Sequence, residues 1–194
     1  MGVTFRSRSL LAAIAAAAAL SATAARVGAG IGAPNVPEVA QSPRLRVLVI
    51  HGPNLNLLGR REPQIYGSTT LDQINARLGE LAKELNVELI ALQSNAEGTI
   101  VDTFQKHIDD VDGALINGAG LTFSSVSIHD VIKAMPFPVI EVHISNLATR
   151  DEIHRHSILT PAVRGAIMGL GWRSYTAGLR ALVEIVREEK TAKR

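Results

Sequence analysis

The sequence predicts an α/β domain built on a five-stranded, doubly wound parallel sheet, a three-layer sandwich with helices on both faces. Three observations carry that reading: short apolar runs recur from Leu45 onward, segments of helical periodicity alternate with them, and polar residues crowd into the stretches that follow the runs. The runs are LRVLVI (45–50), VELIAL (87–92), GALIN (113–117), PVIEVHI (138–144) and GAIMGL (165–170). Between the first two, Leu71, Ile74, Leu78, Leu81 and Leu85 fall at helical spacing, and Thr70 with Gln73 three residues on is a capping-box signature. Ile100, Val101, Phe104 and Ile108 predict a second helix, and residues 126–134 a third. A last helix over 172–190 puts Tyr175, Leu179, Leu182 and Val186 on one face.

At 194 residues and 46% hydrophobic content, the chain is long enough for one domain with a sizeable core, placed at 44–190 with a short tail over 191–194. With no cysteine there are no disulfides, no thiolate chemistry and no Cys-based zinc site, though the compartment stays open. The first residues differ in character. Arg6 and Arg8 precede an apolar run from Leu10 to Leu20, and Ala22-Thr23-Ala24 has the small-x-small form of a cleavage site. Residues 1–25 therefore read as a secretory signal and 26–43 as a Gly/Ala/Pro-rich linker, the alternative being a leader added by an upstream start codon. An eleven-residue run is too short for stable membrane anchoring. A used signal implies a periplasmic or secreted protein, and an unused one a cytoplasmic protein. Without Arg6 and Arg8, 18 basic side chains face 18 acidic ones, and only 4% of residues are aromatic, which argues against nucleic-acid binding.

In a doubly wound sheet, ligands bind beyond the carboxyl ends of the strands, so the segments 51–68, 93–98, 117–125 and 145–157 should share one edge. Tyr66, one of two tyrosines, sits in the first of these, in a stretch read as loop from Gly59, Pro63 and Gly67, five residues after Arg61. Glu141 and His143 lie two apart on a strand and so share a face, where a carboxylate can hold one imidazole nitrogen and leave the other for proton transfer; a core histidine satisfied by its neighbour has the same pattern. His143, His154 and His156 could suggest metal ligation, but no cysteine or acidic cluster supports it. Flavin binding lacks a phosphate cradle after the first strand, and response-regulator chemistry lacks paired acids there.

The motifs HGPNLNLLGRREPQIYG, QSNAEG, NGAGLTFSSVSIHD and IEVHISNLATRDEIHRHS, in that order and separation, resemble those of the type II 3-dehydroquinate dehydratases over about residues 45–187. The resemblance implies a flavodoxin-like fold, no cofactor, a small-molecule substrate, and a homododecamer made of four trimers. It also implies an activity: removal of water from 3-dehydroquinate by taking a proton next to the ketone and expelling the β-hydroxyl through an enolate. Tyr66 is then expected to be the base, and Arg61 the cation that sustains its phenolate. Bringing a phenol from its ordinary pKa near 10 to about 7 requires roughly 4 kcal/mol. One charge at about 4 Å, at an effective dielectric near 20, supplies about that much. Further carried over, Asn54 holds the water that steadies the enolate, and His143, oriented by Glu141, protonates the leaving hydroxyl. Asn117 with the backbone of Ile144 and Ser145 binds the substrate carboxylate. Arg150 helps order the closed lid and its charge balance, and Asp130 reaches a neighbouring subunit's site.

Two positions depart from the family pattern. Phe123 stands where the family usually has His, and His154 where it has Arg, both at positions that meet ring hydroxyls of the substrate. The proton-transfer residues are retained while hydroxyl recognition is altered. This leaves open a related cyclic β-hydroxy-ketone acid as substrate, or an exported binding protein without activity. Simpler roles also exist for single residues: a turn for Asn54, an exposed helix charge for Asp130, surface ion pairs for Arg150.

Overall fold

A computed structural model describes residues 44–193. The expected signal (1–25) and linker (26–43) lie outside the described residues. Five strands, β1 (Leu45–His51), β2 (Val87–Gln93), β3 (Gly113–Asn117), β4 (Val139–His143) and β5 (Gly165–Met168), form one sheet in the order β2-β1-β3-β4-β5. Every pairing is parallel. Five α-helices accompany them: α1 (Pro63–Tyr66), α2 (Leu71–Glu84), α3 (Glu97–Lys106), α4 (Val126–Ala134) and α5 (Arg173–Ala192).

Side chains of β1 alternate between two cores, as period-two geometry requires. Val47 and Val49 pack with Leu71, Ile74 and Leu78 of α2 and Leu179, Leu182 and Val186 of α5. Leu48 and Ile50 pack on the opposite face with Ile100 and Phe104 of α3 and Ile128, Val131 and Ile132 of α4. Both faces are thus covered, which explains why β1 and β3 read as continuous apolar runs. Each fully buried aliphatic or aromatic side chain contributes about 1.5–3 kcal/mol, so these two layers dominate the stability of the sheet.

The expected elements form close to their expected bounds. The capping box opens α2: Thr70 Oγ1 accepts the Gln73 N–H at 3.2 Å, and Gln73 Oε1 accepts the Thr70 N–H at 3.1 Å. Differences fall at ends and in the first loop. α3 starts at Glu97, upstream of its first apolar residue, and α5 runs to Ala192, into the stretch expected as tail. The segment read as loop around Tyr66 contains α1, because Pro63 at the first helical position needs no N–H partner there.

The register brings the carboxyl ends of the central strands level. His51 is opposite both Gln93 and Asn117, and Ile116 is opposite Glu141. Gly52 closes the β1 end against β3: its N–H donates to the Asn117 carbonyl at 2.8 Å, and a Cβ at this position would strike the Gly118 backbone. Sheet order reverses between β1 and β3, which is where such a fold opens a crevice.

Candidate active site

The crevice holds a cavity of about 150 Å³, bordered by Asn54, Arg61 and Tyr66 from the segment after β1, Asn117 and Phe123 from that after β3, and His143, Ile144, Ser145, Arg150 and His154 from β4 and its following loop. A cavity of this size accommodates one small ring. The segment after β2 stands at the same edge but lines no part of the cavity; its Asn95 Oδ1 accepts the Asn54 N–H at 2.9 Å. Leu55, Leu58 and Leu147 supply apolar wall that the search for polar motifs passed over.

Tyr66 ends α1, where the helix hands over to Gly67, whose φ of 75° suits glycine. Its hydroxyl oxygen is met by two guanidinium groups: Arg150 Nη1 at 3.3 Å and Arg61 Nη2 at 3.5 Å. The same Arg61 nitrogen also donates to Glu62 Oε2 at 2.8 Å, and Arg150 Nη1 donates to Ser145 Oγ at 3.2 Å. Arg61 is thus joined at the phenol by a second cation. Arg150, expected to help order the closed lid and its charge balance, is the nearer cation and the one without a carboxylate on the contacting nitrogen. Glu62, beside this cluster, has a backbone φ of 37°, in the left-handed region that non-glycine residues seldom occupy.

His143 and Glu141 share a face of β4, as their spacing requires, and His143 Nε2 lies 2.7 Å from Glu141 Oε1. Glu141 is fully buried and borders no part of the cavity; it reaches the site through the imidazole. Ser157 Oγ donates to the same oxygen at 2.6 Å and Thr160 Oγ1 to Oε2 at 2.5 Å. Burial pushes the Glu141 carboxyl up, but hydrogen bonds from His143, Ser157 and Thr160 outweigh it and hold the group below the usual carboxylate range. With Nε2–H directed at a carboxylate, Nδ1 is the ring nitrogen left for proton exchange in the cavity. Neither hydroxyl was identified from the sequence, where nothing marks Ser157 or Thr160 as facing β4.

Asn117 ends β3 and is nearly fully buried; its Oδ1 accepts the Ala119 N–H at 3.1 Å and its Nδ2 donates to the Tyr175 hydroxyl at 3.0 Å. Phe123 and His154 face each other edge-on across the wall, ring centroids 5.2 Å apart at 89°, and His154 Nδ1 lies 2.7 Å from Asp151 Oδ1. Asp130 stands away from this cavity, its side chain 70% exposed and 2.9 Å from His129 Nδ1. Among the described residues no group of three His, Asp or Glu side chains is placed to hold a metal ion.

Residues 45–183 match the family model described as Dehydroquinase class II. The chain belongs to that family. It is 46% identical over 149 residues to the 3-dehydroquinate dehydratase of Desulforudis audaxviator (strain MP104C), covering 77% of this chain and 99% of the relative. To the 3-dehydroquinate dehydratase of Nostoc sp. (strain PCC 7120 / SAG 25.82 / UTEX 2576) it is 48% identical over 139 residues, or 72% of this chain and 95% of that one. Among solved structures, the type II dehydroquinase of Butyrivibrio crossotus DSM 2876 superposes with a TM-score of 0.71 at 36% identity, over 73% of this chain and 99% of its own. As a class II dehydroquinase, the chain carries its matched region over the whole of the sheet and most of α5.

Proposed function

We propose that the cavity dehydrates 3-dehydroquinate to 3-dehydroshikimate, with Tyr66 as base and His143 as acid. The observation that carries the reading is one small cavity in which a phenol flanked by two cations and an imidazole backed by a buried carboxylate are both exposed to the same ligand. Two guanidinium groups sustain negative charge on the Tyr66 oxygen, which takes the proton next to the substrate ketone. Electrons move into the carbonyl to give an enolate, steadied by a water on Asn54. The enolate collapses to form the double bond as the β-hydroxyl departs, and protonated His143 gives that hydroxyl its proton so that it leaves as water. Glu141 orients the ring for this step. The substrate carboxylate is taken by Asn117 and the backbone of Ile144 and Ser145. No cofactor is required for any of these steps. Curated relatives named for this reaction favour it over the related acid and the non-catalytic binder.

The test is direct. Purified protein mixed with 3-dehydroquinate should generate the enone absorbance of the product, and Tyr66→Phe should silence it. Absence of product at millimolar substrate from well-folded wild-type protein rejects the activity. Unchanged turnover in Tyr66→Phe rejects the base.

Two further parts of the reading rest on sequence and resemblance. We propose that the protein forms a dodecamer of four trimers in which the exposed Asp130 enters a neighbour's site, a state that native mass spectrometry measures. We also propose export through the signal at 1–25, which would suit catabolism of externally oxidised quinate; N-terminal sequencing after cell fractionation tests it.

A further inference from the structure

Behind Asn117 lies a buried polar chain that the reaction itself does not use. Asn117 Nδ2 donates to the Tyr175 hydroxyl at 3.0 Å, that hydroxyl lies 3.3 Å from His51 Nδ1, and His51 Nε2 lies 2.9 Å from Asn75 Oδ1. These side chains come from β3, α5, β1 and α2, so the chain runs along the sheet face covered by α2 and α5, behind the cavity, and ties four elements together. Tyr175 and His51 are both buried and neither borders the cavity.

The chain has one consistent polarity. Ala119 N–H can only donate, so the amide atom facing it is Oδ1 and the atom facing Tyr175 is Nδ2. Tyr175 oxygen therefore accepts, and its own proton goes to His51 Nδ1. His51 is then neutral, with its remaining proton on Nε2 directed at the Asn75 carbonyl oxygen. Burial, opposed by the Asn75 hydrogen bond, lowers the His51 pKa to about 4, and burial raises that of the Tyr175 phenol, so both groups stay neutral across the working range. Ala119 itself has a φ of 49°, and its bond to Asn117 Oδ1 helps hold that left-handed turn.

Resting on the proposed function, we infer that Tyr175 and His51 are positioning residues that lock the Asn117 amide so that its second Nδ2 hydrogen points to the substrate carboxylate. The Ala119 N–H holds Oδ1 in place, and the Tyr175 hydroxyl, accepting from Nδ2, narrows the swing of this soft two-fold rotor so that the second Nδ2 hydrogen stays aimed at the anion. The relay therefore selects for a negatively charged ring substituent at this end of the cavity. Because the contact is made equally before and during reaction, its loss should raise KM and leave kcat nearly unchanged.

The test uses steady-state kinetics with 3-dehydroquinate on Tyr175→Phe, Asn117→Ala and their double variant, each checked by thermal melting. Tyr175→Phe should raise KM about tenfold, in line with one lost hydrogen bond, with kcat within about threefold. The double variant should be no worse than Asn117→Ala alone, since the tyrosine acts only through the amide. His51→Leu should repeat the KM effect, and His51→Gln, whose carbonyl oxygen can accept the Tyr175 proton, should recover much of it. An unchanged KM, or a Tyr175→Phe penalty that persists in full without Asn117, overturns the relay. If wild-type protein leaves 3-dehydroquinate untouched, the proposed function fails by itself. The relay is then read from hydrogen exchange of the Asn117 side-chain amide, which should be slow in wild type and faster in Tyr175→Phe; equal rates overturn it.

Discussion

Arg150 brings Nη1 to 3.3 Å from the Tyr66 hydroxyl oxygen, nearer than Arg61 at 3.5 Å. The two arginines come from different segments, one just ahead of α1 and one from the loop after β4. Replacing Arg150 by Met should lower kcat about 10²–10³-fold, the usual loss when one preorganised charge at a reacting oxygen is removed. Arg61→Met should cost less, because Glu62 already engages the Arg61 nitrogen that reaches the phenol. Single-turnover rates on the two variants check the order; a larger loss at Arg61 contradicts it.

Glu141→Gln keeps an acceptor for the imidazole but removes the negative charge, so kcat should fall by about tenfold or more with the melting temperature little changed. Glu141→Ala is different in kind. It leaves the Ser157 and Thr160 hydroxyls and a histidine N–H without their buried acceptor and should destabilise the fold by about 3–5 kcal/mol, measurable by urea unfolding. The wild-type carboxyl is held below its ordinary value of 4.5, so its contribution to stability is present above that pH and lost as pH falls through the lower folded value.

His51 has the opposite chemistry. Its pKa is lowered from 6.5 to about 4, so between those values the unfolded chain binds a proton that the folded chain refuses. Stability should be complete above about pH 6.5 and decline by about 3 kcal/mol as pH drops to 4. His51→Gln should flatten that part of the curve, seen by denaturant titrations at intervals of pH.

Phe123→His with His154→Arg should lower KM for 3-dehydroquinate by about tenfold or more, since each change adds a donor toward a polar ring. The rings are in contact, so the two effects should not add. Equal KM for wild type and the double variant shows that these positions do not read the substrate.

Gly52→Ala should destabilise by about 1–3 kcal/mol, because the new methyl meets backbone of the β3 end rather than a side chain that can turn aside. Thermal melting measures it.

Much of this was legible in the chain. The sheet was readable because the middles of β1 and β3 are buried on both faces and therefore apolar, and α2 because both halves of its capping box are local. The Glu141–His143 contact followed from strand period alone. What escaped depends on long-range approach. Nothing near Arg150 signals that it reaches a hydroxyl 84 residues earlier, and Tyr175 reads only as a core position on an amphipathic helix because its hydroxyl partners lie 58 and 124 residues away. The turn of helix at Tyr66 was hidden for a local reason: Pro63 and Gly67 punctuate loops and short helices alike.

The buried seat of Glu141 within β4 separates two kinds of inheritance. The groups that move protons at this end are moulded by the sheet interior, whereas Phe123 and His154 hang from connecting segments on its rim. Rim positions can drift without disturbing the strand that fixes the acid. A substitution on the rim can therefore change what the cavity wall offers a ring while the strand beneath keeps the acid where it is.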